Sequence, residues 1–215
     1  MTGRRRAWAL PVGLGAVFLA LTALVATGAL LGVDAAMQPW FTAQAAGGAG
    51  ARVAGVLAAL GDKGIAGFVL AVTVVWACAR GRTPRPGLAS AVAVVGTALT
   101  VVVIKVATGR TAPGAAPGEV LAGGRSYPSG HAATASVCLL LMAFLLSSAL
   151  GRRSRRGVVV VAAALGVAVA WTTVALGFHW VSDVVGGLLV GAAWATGVRP
   201  WLAADTLGGA TSPGR

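Results

Sequence analysis

Six long apolar runs divide the chain, at about 8–33, 65–79, 88–106, 131–150, 158–176 and 181–197. The stretches between them are mostly short, and either basic or rich in glycine and proline. Each run is near the roughly 20 residues that a helix needs to cross the hydrocarbon of a bilayer. A spanning backbone must satisfy its own hydrogen bonds, which leaves helices for runs of this length. The pattern therefore predicts an all-α fold, an integral membrane bundle of about six transmembrane helices. Between the first two runs, residues 34–50 read as a polar, Gly/Ala-rich loop carrying Trp40. Residues 51–60 are apolar but too short to span, so they are expected to lie at the interface and to end at the Gly61-Asp62-Lys63-Gly64 turn. Residues 107–129 form a long Gly/Pro-rich loop. The whole of 1–215 reads as a single membrane domain, with a basic tail at 1–7, the bundle at 8–201 and a polar tail at 202–215.

Composition agrees with the pattern. Hydrophobic residues make up 57% and charged residues only 10% of the 215, where a soluble domain carries about 25% charge. A net charge of +12 would suit nucleic acid if it gathered on one soluble face. Instead the basic residues punctuate the apolar runs, the signature of membrane topology, and nucleic acid is excluded as a partner. Arg4, Arg5 and Arg6 before an apolar run also describe a signal peptide, with Asp34-Ala35-Ala36 as a weak cleavage site. The run exceeds the usual 7–15 residues of a signal core, which favours a retained span. Six spans bring both termini to one side, together with twelve of the 17 Lys and Arg: 4–6, 80–85, 152–156, 199 and 215. The positive-inside rule makes that side cytoplasmic and puts the loop at 107–129 outside the cell membrane. Cys78 and Cys138 both fall within spans and read as packing residues. With two histidines and no cysteine cluster, no metal site is expected. Gly187 and Gly191, four apart, suit close helix packing in lipid.

The chemically capable residues converge on the outer face. In Tyr127-Pro128-Ser129-Gly130-His131, Pro128 fixes its own φ and Ser129 is a good N-cap for a helix starting near Gly130. The free amides and dipole of a helix start make a seat for phosphate, and His131 adds a group that exchanges protons near neutral pH. His179 and Asp183 are four apart, so on a helix they share a face. The carboxylate then holds one ring nitrogen and leaves the other as a nucleophile. A histidine attacking phosphorus also needs cations on the phosphoryl oxygens, donors to hold them and an acid for the leaving oxygen. Lys105 and Arg110 suit the first need, Ser129 with the amides at Gly130 and His131 the second, and His131 the third.

These residues resemble the type 2 phosphatidic acid phosphatase superfamily, whose motifs run Lys-x6-Arg-Pro, Pro-Ser-Gly-His and Ser-Arg-x5-His-x3-Asp. The chain matches the second at Pro128–His131, the third at His179 and Asp183, and the first at Lys105 and Pro113. The resemblance covers roughly residues 62–191. It implies His179 as nucleophile, Asp183 as its orienting partner, His131 as general acid, and Lys105, Ser129 and Gly130 as phosphate ligands. It also implies a metal-independent lipid phosphate phosphatase with no cofactor, acting on a lipid of the bilayer through a phosphohistidine. Two positions depart from the motifs. Ala112 stands where the first carries arginine, and Thr172-Thr173 where the third carries Ser-Arg. Arg110, two residues before Ala112, and Arg125, just before the Pro-Ser-Gly-His stretch, are the candidates to replace the missing cations. The alternative is a catalytically degenerate member that binds anionic lipid headgroups in the same pocket. No feature of the sequence specifies an oligomeric state.

Overall fold

The computed structural model describes residues 2–203, Ala116 and Ser148 excepted. Most of the expected polar tail, with Arg215, lies outside the described residues. The elements are α1 (Thr2–Ala26), α2 (Leu31–Gln44), α3 (Gly48–Ala59), α4 (Lys63–Gly81), α5 (Arg85–Thr108), α6 (Gly130–Ser147), α7 (Arg152–Ala175) and α8 (Val181–Ala203). The fold is all-α, and among the described residues there is no strand. Among the described residues six helices are long and apolar enough to cross a membrane, namely α1 and α4 to α8.

Two expectations near the N-terminus need correction. The first apolar run does not stay helical to residue 33: α1 ends at Ala26, and the chain turns through Gly28 in the left-handed region at φ 73. Residues 34–50 are not a loop. Most belong to α2, whose first turn carries Asp34, and Asp34 is only 2% exposed. An aspartate in a Gly/Ala-rich stretch reads as solvent-facing because burying an unpaired carboxylate is costly. Here its partners lie far along the chain, in Arg110 and Ser182. The short helix α3 matches the expected non-spanning segment. The Gly61–Gly64 turn is also present, with the Asp62 carboxylate accepting the Gly64 and Ile65 amides to cap α4.

The most buried spans are α6 and α8, while α1 and α4 present most of their surface outward. One core cluster joins Leu70, Ala89, Ala93, Val137, Leu141 and Ala195 from α4, α5, α6 and α8. A second gathers Phe18, Val25, Val101, Tyr127 and Val190 nearer the end of the bundle that carries the α5–α6 loop. Glycine sets how closely α6 and α8 meet. A Cβ on Gly187 would lie 2.5 Å from the Ser129 carbonyl oxygen, and one on Gly191 2.5 Å from that of Ala133. Small residues let two backbones approach in this way, and in lipid that contact must come from packing. The start of α8 is thereby held against the start of α6, and the Ser129 amide donates to the Asp183 carbonyl at 2.9 Å.

Candidate active site

The loop from α5 to α6 folds back on itself. Gly109 closes α5 in the left-handed region at φ 52, where a side chain would be strained. Four amides then tie the loop's two halves together: Leu121 to Thr108 O (2.8 Å), Thr111 to Glu119 O (2.9 Å), Gly124 to Gly109 O (2.9 Å) and Ser126 to Arg110 O (2.9 Å). The last tie sets Arg110 beside Ser126. Next in the chain, Tyr127 is fully buried, with its ring stacked on Phe18 and its hydroxyl 2.8 Å from Thr22 Oγ1. Burial pushes the Tyr127 phenol up to about 12, so it stays a neutral hydrogen-bonding anchor.

Ser129 caps α6 as its residue type suggests, accepting the Ala132 amide on Oγ at 3.3 Å and the Ala133 amide on its carbonyl at 3.1 Å. The amides of Gly130 and His131 have no partner among the described residues, so they are the donors free to meet an anion at this helix start. Ser129 itself is 0% exposed and lies under that seat. Beside the seat stands Lys105, half-buried at the end of α5, whose ammonium donates to the carbonyls of Arg125 and Ser126, the latter at 3.2 Å.

His179 and Asp183 meet, but not along one helical face. The helix α8 starts at Val181, so His179 precedes it and Asp183 sits in its first turn. Asp183 Oδ2 accepts the Trp180 amide at 3.0 Å, which is the N3-to-N-cap half of a capping box. The same oxygen accepts the Ser126 hydroxyl and stands 3.4 Å from His179 Nδ1. Ser126 Oγ is also 3.3 Å from that nitrogen. With both acceptors on the Nδ1 side, the proton belongs there and Nε2 is left with a lone pair. His131 is exposed and within electrostatic reach of His179.

Arg110 is turned away from solvent, toward α2 and α8. It is 1% exposed and its terminal nitrogens are occupied: NH1 by Asp183 Oδ1 (3.0 Å) and Ser182 Oγ (2.6 Å), NH2 by Asp34 Oδ2 (2.7 Å). Arg125 has an exposed side chain and meets Lys105 through its carbonyl. Thr172 and Thr173, at the positions of the motif Ser-Arg, are buried with their hydroxyls returned to the carbonyls of Val169 (2.7 Å) and Ala170 (2.8 Å). Among the described residues no three His, Cys, Asp or Glu side chains gather as metal ligands.

A groove of about 280 Å³ runs from this site between α4, α5 and α6. Lys63, Lys105 and Gly130 line its outer end, and Val94, Val137 and Cys138 its deep end. A profile of the PAP2 superfamily matches residues 86–206, which takes in α5 to α8 with Lys105, His131, His179 and Asp183.

The chain belongs to the PAP2 superfamily.

It is a multi-pass membrane member of this phosphatase family. The structure is similar to the crystal structure of the first transmembrane PAP2 type phosphatidylglycerolphosphate phosphatase from Bacillus subtilis, with a TM-score of 0.76 and 24% identity. The likeness covers 89% of this chain and 94% of that one, and it bears on the fold. No curated protein sequence matches the chain. Within this PAP2 fold, four residues at or behind the site were not singled out from sequence. Asp34 and Lys63 lie before the residues that the family profile matches, and Ser126 and Ser182 lie within them. Ser126 had one usable signal, its place directly before Tyr127-Pro128-Ser129. Lys63 had another, since it is a lone cation at the start of an apolar run.

Proposed function

We propose that this PAP2 protein is a lipid phosphate phosphatase that works through a phosphohistidine on His179, at the extracytoplasmic face. The observation that carries the reading is the groove, which joins two cationic side chains beside the helix start to an apolar trench. Along α5 its lining runs from Lys105 back to Val94, about 16 Å at 1.5 Å per residue. That length suits a hydrocarbon chain whose headgroup sits at the outer end. In the reaction, His179 Nε2 attacks phosphorus and the bond from phosphorus to the lipid oxygen breaks. His131 gives its proton to that oxygen. A water then loses a proton to His131 and attacks phosphorus, the phosphorus–nitrogen bond breaks, and inorganic phosphate leaves with His179 restored. Lys105 and the amides of Gly130 and His131 hold the phosphoryl oxygens through both steps.

Purified protein in detergent should release phosphate from phosphatidate or phosphatidylglycerol phosphate, and more slowly from a water-soluble phosphate ester. The enclosed position of Arg110 favours a second reading, a headgroup-binding protein without turnover. Binding of these lipids with no phosphate released would select that reading over the first.

The orientation rests on charge. The start of α1, the α4–α5 and α6–α7 turns and the end of α8 share one end of the bundle, and the basic residues cluster there. A cysteine at the exposed Ala115, with Cys78 and Cys138 replaced by alanine, should react with an impermeant thiol reagent on intact cells. Gly118 would be a poor reporter, being buried at φ 87. Labelling of Ala115→Cys only after the membrane is opened would reverse the topology.

A further inference from the structure

We infer that Asp34 and Arg110 are positioning residues, a buried ion pair behind Asp183 that aims its carboxylate at His179 and keeps the local charge negative. The inference rests on the phosphohistidine reading above, because it assigns the pair through its effect on His179. The geometry is closed on three sides. Asp34 comes from α2, Arg110 from the loop after α5, and Ser182 and Asp183 from the start of α8. Asp34 Oδ1 accepts the Ser182 amide at 3.0 Å, and Oδ2 accepts the Ser182 hydroxyl at 2.6 Å and the Arg110 NH2 at 2.7 Å. The guanidinium lies 5.6 Å from the Trp180 ring centre, and the Trp180 indole is fixed in turn by donating to Thr111 O at 2.9 Å. The three charged side chains are 3% exposed or less, so water screens them little.

Each oxygen of Asp183 then has a separate task. Oδ1 is held by Arg110, and Oδ2 is turned to His179, Ser126 and the Trp180 amide. Arg110 alone would neutralise Asp183 and weaken its attraction for a positively charged imidazole. Asp34 returns one negative charge, so the three groups together present a net −1 to His179. A guanidinium with both ends occupied by buried carboxylates is also not available to clamp phosphate. Breaking such a pair from one side leaves an uncompensated buried charge. Asp34 lies outside the region that the PAP2 profile matches, so the pair ties the site to the N-terminal part of this chain.

The groups facing His179 are Asp183 of α8, Ser126 of the loop and His131 of α6, with Arg110 and Asp34 behind Asp183, while Lys105 of α5 is within electrostatic reach of Asp183. The test is the NMR titration of histidine-labelled protein in micelles, with His131→Gln to assign His179. Asp34→Asn removes a negative charge and should move the His179 midpoint down by at least about 0.5 of a pH unit. Arg110→Gln removes a positive charge and should move it up by a similar amount. The double variant loses one charge of each sign, should fold where Arg110→Gln does not, and should titrate between the two. A structural role alone does not give shifts of opposite sign, so equal or absent shifts overturn the inference. This readout needs no turnover, so it separates from failure of the phosphatase reading. Where phosphate is released, both single variants should lose at least about tenfold in kcat, with KM and inhibition by inorganic phosphate held within about threefold. A tenfold rise in KM and in the phosphate inhibition constant for Arg110→Gln, with kcat unchanged, would make Arg110 a clamp and sink the proposal.

Discussion

His179→Ala is expected to bring phosphate release down to the level without enzyme. In the proposed mechanism His131 is committed to proton transfer, Ser129 is buried beneath the helix start and Lys105 is tied to two loop carbonyls, which leaves His179 as the nucleophile. Asp183→Asn should act differently. It preserves the shape but turns one face of the acceptor into a donor, which favours the wrong tautomer of His179. By analogy with the aspartate of a serine protease triad, the loss in kcat should be on the order of 10⁴. Rapid acid-free quenching of wild type with a radiolabelled lipid phosphate should trap an acid-labile phosphoprotein that His179→Ala lacks. Turnover in His179→Ala at more than a tenth of the wild-type rate would remove the phosphohistidine from the mechanism.

The spans were legible because the bilayer imposes a simple demand, a long apolar run with its hydrogen bonds satisfied internally. The start of α6 was equally legible, since Ser129 needs only its own neighbours to cap a helix. The misreadings share a cause in long-range partners. Asp34 looks like a loop residue until Arg110, 76 positions on, and Ser182, 148 positions on, are brought to it. Once compensated, the carboxylate is buried and α2 forms around it. Trp180, between the fifth and sixth apolar runs, is 5% exposed for the same reason, because its indole N–H finds Thr111 O inside the fold.

At the site, sequence spacing found the His179–Asp183 pair but not its manner of contact. A separation of four suggests one face of a helix, whereas the chain bends at Trp180 and Asp183 reaches back as a cap. The structural use of that aspartate and its chemical use are therefore the same hydrogen-bond set. Arg110 shows the limit of motif reasoning in another way. Its nearness in sequence to Lys105 suggests a shared ligand, but the loop ties at Thr108, Gly109 and Arg110 turn its side chain toward α2 and α8.

With Arg110 enclosed, the proposed phosphate seat relies on Lys105 as its fixed cation, and Lys105→Ala should cost about 10²–10³ in kcat. That range corresponds to the ~2.7–4 kcal/mol lost when one preorganised donor to a developing charge is removed. The reason is preorganisation. The carbonyls of Arg125 and Ser126 take two of the three ammonium protons and leave one for a phosphoryl oxygen. Lys63 lines the same end of the groove but is exposed, so its attraction is screened by salt and its side chain must be ordered on binding. Lys63→Ala should therefore raise KM by a few-fold at low salt, lose that effect at high salt and leave kcat near wild type. Lys105→Arg should not restore the rate, since a longer planar fork does not fit a seat built for a point charge. Steady-state kinetics of these three variants and of Arg125→Ala at two salt concentrations separates these roles. Near wild-type kcat in Lys105→Ala, together with a hundredfold loss in Lys63→Ala or Arg125→Ala, would move the phosphate seat away from the end of α5.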